Sequence, residues 1–139
     1  MTPLNVALVC VFLQVGLTFW AIFQMGLARV RSVRAKDVSV AEAALGQADY
    51  PTKVVQLQNN AHNQFETPNL LFAAVAIAAA TGAVNWGLAI GAVIYITSRF
   101  VHRAIHVGNN RIGRRFYTYL VGLIALVICW VSLGFGLIF

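Results

Sequence analysis

Asn59, His62, Asn63 and Glu66 stand at offsets of zero, three, four and seven, so a helix would line them up on one face. Arg99, His102 and His106 repeat that spacing further along, with Arg103 beside them. A third set, Arg111, Arg115 and Tyr119, falls at offsets of zero, four and eight. Side chains of these types can grip a carboxylate bidentately, stabilise a thiolate, and donate a proton or hydrogen bond to a leaving oxygen. The sequence shows no Ser-His-Asp order, no phosphate-cradling Walker loop, no pair of catalytic carboxylates and no metal-ligand spacing. Cys10 and Cys129 lie inside apolar stretches and read as small packing residues.

The elements that must position these groups are helices in lipid. Of 139 residues, 60% are hydrophobic and 10% charged, far from the roughly 45–50% apolar and 25% charged of soluble domains. The pattern predicts an all-α fold, an integral membrane four-helix bundle forming one domain over residues 1–139, with helices at about 3–29, 53–82, 85–107 and 113–138. Each has the ~20 residues that cross about 30 Å of hydrocarbon, where the backbone must satisfy its own hydrogen bonds. Pro51 suits the start of the second helix, and the 30–52 loop has room for a short surface helix from Val40 to Leu45, with Ser39 and Glu42 as a capping box. Ala-rich helix two, with Gly87 and Gly91 on helix three, permits close packing.

A net charge of +6 would suit nucleic acid, but its distribution argues for a membrane instead. All Lys and Arg lie between Arg29 and Lys53 or between Arg99 and Arg115, and the four acids (Asp37, Glu42, Asp49, Glu66) are on the same side. The 81–87 connector and both termini carry no charged side chain. The positive-inside bias therefore predicts a multi-pass protein with cytoplasmic charged loops and both termini extracytoplasmic.

Counting from the uncharged side at 1.5 Å per residue places Glu66 roughly 22 Å and Arg99 roughly 18 Å deep. A carboxylate inside the hydrocarbon needs a partner, so Glu66 and Arg99 are expected to form a structural ion pair. That pair could fix helix register or belong to a site. His102 and His106 likewise could bond backbone or headgroups, or line a pocket. Together the acid and the convergent Arg, His and Tyr residues describe a pocket for an anionic polar ligand beside lipid. Such a pocket suits joining a soluble thiol to a lipophilic electrophile.

At these residues the sequence resembles the MAPEG family, the membrane-associated proteins of eicosanoid and glutathione metabolism. Asn63-Gln64-Phe65-Glu66 with Pro68 is similar to one family motif, and Arg99-x-x-His102 followed by Gly108, Arg111, Arg115 and Tyr119 is similar to a second. The likeness spans nearly the whole chain. It implies a homotrimer that holds glutathione between subunits near the cytoplasmic face and takes a lipophilic small-molecule substrate from the bilayer. Carried over, Arg29, Arg31, Asn63, Glu66, His102, His106, Arg115 and Tyr119 would contact glutathione, Arg115 and Tyr119 would be catalytic, and Arg99 would brace Glu66. A branch of the family that binds lipid without catalysis gives a second expectation. Asn59, His106 and Phe116 depart from the glutathione-using pattern, which carries Arg, Tyr and Ser there.

Overall fold

A computed structural model describes residues 1–139 and is entirely helical and coil. Its helices are α1 (Pro3–Arg34), α2 (Val40–Leu45), α3 (Thr52–His62), α4 (Pro68–Thr81), α5 (Trp86–Val107) and α6 (Ile112–Ile138). Of these, α1, α5 and α6 are long and apolar enough to cross a membrane, and the fourth apolar helix, α4, has 14 residues. At 1.5 Å per residue α4 spans only about 21 Å.

Helix α1 starts at Thr2, whose hydroxyl accepts from the Asn5 amide at 3.2 Å, with Pro3 in the first turn. It runs five residues past the expected end near residue 29. Nothing between Arg29 and Arg34 breaks a helix, and Arg31 and Arg34 in the last turn complement its negative end. Helix α2 carries both halves of its capping box: the Glu42 amide donates to Ser39 Oγ at 3.1 Å, and the Ser39 amide donates to the Glu42 carboxylate at 2.9 Å. The Ser39 amide first, and its hydroxyl second, hold the Glu42 carboxyl below the usual carboxylate range.

The continuous helix expected over 53–82 is two helices joined by residues 63–67. Pro68 explains the break, because it has no N–H for the carbonyl of residue 64 and its ring crowds the preceding turn; in α4 it sits instead in the first turn. The one-face alignment of Asn59, His62, Asn63 and Glu66 is lost with it. The 63–67 link is tied to α5 by a buried 3.0 Å hydrogen bond between the Thr67 and Tyr95 hydroxyls.

Short connections reverse the chain between α4 and α5 and again between α5 and α6. The Arg-rich ends of α1 and α5 therefore meet the starts of α3 and α6 at one end of the molecule. Helices α5 and α6 lie closest: a Cβ added at Gly91 would stand 2.7 Å from Cys129 Sγ and 3.0 Å from the Ala125 carbonyl oxygen. Gly91 thus serves α6 rather than α4, while on α4 the buried alanines are Ala74 and Ala78, one turn apart. Asn85 closes the far end of this pair, accepting from the Leu88 amide at 3.0 Å and donating to the Ser132 carbonyl at 2.8 Å.

Candidate functional site

A cleft of about 260 Å³ opens at the charged end, where the 63–67 link approaches the C-terminal half of α5 and the first turns of α6. Asn63, Glu66, His102, Arg115 and Tyr119 line it, with Ile112 and Phe116 adding an apolar edge. The helix break makes this possible. Released from a helix, Glu66 is exposed at the cleft rather than buried against a neighbour. Arg115, half-buried, donates to Asn110 Oδ1 at 2.8 Å, which leaves most of its five N–H donors unused. His102 is buried; its Nδ1 lies 3.1 Å from the Arg115 carbonyl oxygen, and its Nε2 has no partner. The Tyr119 ring sits 5.9 Å from the His102 ring, centre to centre.

The expected Glu66–Arg99 ion pair is not made within the chain. Arg99 is 2% exposed and its Nη2 donates to the Asn63 carbonyl at 2.6 Å, while Nε and Nη1 have no partner. Asn63 caps the C-terminus of α3, where unpaired carbonyls and the negative end of the helix dipole attract a cation. The break at residues 63–67 creates that terminus, so Arg99 serves the backbone and Glu66 stays free.

Five of the expected site residues therefore come together in one cleft, and three do not. His106 is buried behind it, its ring edge-on to that of His102 at 5.7 Å and its Nδ1 unpaired. Arg29 turns to the loop instead, donating from Nε to the Tyr50 hydroxyl at 3.1 Å and lying over that ring at 5.1 Å. Arg31 faces a different hollow, between α1 and α3.

A second polar cluster escapes a reading by helical faces. Gln64 is buried, accepting from Gln14 Nε2 at 3.0 Å and donating to the Asn60 carbonyl at 3.1 Å. Asn60 Oδ1 in turn accepts from Arg103, whose other terminal nitrogen donates to Gln24 Oε1 at 2.6 Å. Asn60, not its exposed neighbour Asn59, faces the interior. The available signal was Gln14 and Gln24, two amides ten residues apart in the mainly apolar part of α1 that precedes Arg29.

The fold and the cleft define an all-helical integral membrane protein with a polar site at its charged end. Residues 7–135 match the MAPEG family model, and the chain belongs to the MAPEG family. It is thus a membrane protein of the glutathione and eicosanoid metabolism type. No curated protein and no solved structure matches it individually.

Proposed function

We propose that this protein is a membrane-bound glutathione-dependent transferase, peroxidase or isomerase acting on lipophilic electrophiles. The observation that carries the reading is the meeting of Glu66, Asn63, His102, Arg115 and Tyr119 in one cleft beside an apolar edge. These residues fit a zwitterionic tripeptide. Glu66 offers a carboxylate to its ammonium group, Arg115 offers free N–H donors to an anion, and His102 Nε2 is an orphaned polar atom in need of a partner.

Glutathione, when bound, supplies the thiol that attacks the electrophile. Arg115 acts by its charge, favouring the anionic form of a sulfur held near it. Tyr119, one turn further along α6, is placed to donate a hydrogen bond from its hydroxyl. His102 holds the first turns of α6 through the Arg115 carbonyl, and Ile112 and Phe116 give a lipophilic partner an apolar approach.

At about 260 Å³ the cleft is smaller than the roughly 300–1,000 Å³ of small-molecule sites. A homotrimer would enlarge it with a neighbour's α1, and Arg29 or Arg31 would enter only by that route. Four membrane crossings complete the proposal, with α3, the link and α4 together forming the second. The charged loops would be cytoplasmic and both termini extracytoplasmic.

The test is conjugation of a panel of lipophilic electrophiles, and hydroperoxide reduction, by purified protein with glutathione. Removing one preorganised electrostatic group typically costs about 10²–10³ in rate, so Arg115→Ala is expected to lower kcat/KM by that factor with the fold retained. Equal activity in the two proteins would refute the role of Arg115.

A specific observation favours a second reading, a lipid-binding protein without catalysis. Phe116, which borders the cleft, is 58% exposed, and Asn59 supplies no cation to an anionic tripeptide. On that reading lipids bind and glutathione produces no thermal shift.

A further inference from the structure

Arg103 is 3% exposed, and the helices around it, α1, α3 and α5, contain no Asp or Glu. Its terminal nitrogens donate to Gln24 Oε1 and Asn60 Oδ1, and its guanidinium lies 4.5 Å from the Trp20 ring centre. Every one of these partners is neutral. They satisfy geometry, but they bring no charge to a cation held in an apolar helix, where ionisable groups normally pair. The counter-charge must come from outside these helices.

One open groove reaches it. A hollow of about 600 Å³ between α1 and α5 is walled by Trp20, Phe100 and Val101, with Arg103 and Gln24 among its lining residues. A neighbouring hollow of about 450 Å³ shares Trp20, Gln24 and Val107 with it and extends to Lys53. The Lys53 ammonium donates to the Val107 carbonyl, again a neutral group. The result is a trough with apolar walls and cations along its length. No residue lines both this trough and the Glu66–Arg115 cleft. Arg103 lies four residues before the end of α5, about 6 Å from the helix terminus. That depth suits a group at the boundary between headgroup and hydrocarbon.

We propose that the trough binds an anionic phospholipid. Its phosphate lies toward Arg103 and Lys53, and its acyl chains run along Trp20, Phe100 and Val101. Basic pockets between membrane helices are a recurring setting for anionic headgroups, and a guanidinium with N–H donors to spare can add a phosphate oxygen to its existing partners. Phosphatidylcholine has the same phosphate but carries its own cation, so net charge is what the trough would select. The proposal does not depend on glutathione use.

The experiment uses the full-length protein in detergent, stripped of lipid, with binding read by native mass spectrometry and thermal shift. Phosphatidylglycerol is expected to remain as an adduct and raise the melting temperature, with phosphatidylcholine at least about ten-fold weaker and glycerol 3-phosphate without effect. Loss of a charge-assisted hydrogen bond corresponds to about ten-fold in affinity. Arg103→Gln should therefore weaken phosphatidylglycerol binding by about that factor, and Arg103→Lys should retain most of it. Equal binding of the two lipids, an equal effect of glycerol 3-phosphate, or unchanged binding in Arg103→Gln would overturn the assignment. So would a neighbouring copy filling the trough, seen as an oligomer that takes up no lipid. If Arg103→Gln does not fold, the wild-type selectivity and Lys53→Gln decide: indifference to headgroup charge, or no loss with Lys53→Gln, overturns it.

Discussion

Arg99 and Arg103 are one helical turn apart on α5 and almost equally buried, at 2% and 3% exposed, yet they belong to different regions of the molecule. Arg99 turns to the 63–67 link, where it holds the end of α3 through the Asn63 carbonyl and stands behind a cleft that has an acid in it. Arg103 turns to α1 and α3, where amides and an indole surround it and no acid is present. A cation in an apolar helix thus acquires its role from the oxygens that meet it. Arg99 braces the end of α3 beside a cleft that holds an acid, whereas Arg103 has only neutral partners and no acid near it, which leaves its charge open to a ligand.

The sharpest way to break this contrast is to remove the two groups once expected to pair. Arg99→Ala should destabilise the protein by about 1–3 kcal/mol, because the partly buried carbonyl end of α3 loses its charged donor, and thermal unfolding in detergent measures it. Glu66→Gln, at an exposed position, should leave stability within about 0.5 kcal/mol while weakening ligand binding at the cleft. Equal destabilisation by both would restore the ion pair.

A smaller effect tests how the link is held. Tyr95→Phe removes only the bond to Thr67 and should cost about 0.5–1.5 kcal/mol. Hydrogen exchange should then rise across residues 63–67 more than in α6; a uniform rise would show that the link has no separate attachment. The smallest effect belongs to α2, which contributes no buried residue. Ser39→Ala removes its cap, normally worth about 0.5–2 kcal/mol to a helix, and should speed proteolysis of residues 40–45 without changing the melting temperature or activity. The Glu42 carboxyl, held low by the same serine, supports this cap above the ordinary carboxylate pKa, and the support fades as pH falls through its lowered value.

Much of this arrangement was legible because lipid imposes simple rules. Apolar stretches read as helices, and the clustering of Arg and Lys indicated which helix ends would meet. The same logic brought Asn63, Glu66, His102, Arg115 and Tyr119 into one region. Helical periodicity failed at Pro68, which ends the regular turn and redirects Asn63 and Glu66. Depth counting put Glu66 and Arg99 near one level but could not see that the broken helix would present a carbonyl closer to Arg99 than the acid is. It could not choose between Asn59 and Asn60 either, since only tertiary packing decides which adjacent amide turns inward.

The most direct measurement of the central claim is calorimetric titration of glutathione into the purified full-length protein, with Arg115→Ala and Glu66→Gln beside it. Saturable binding to the wild type, weakened about ten-fold or more by each substitution, is the predicted result. No binding to a folded wild-type protein, or binding unaffected by both substitutions, would contradict it.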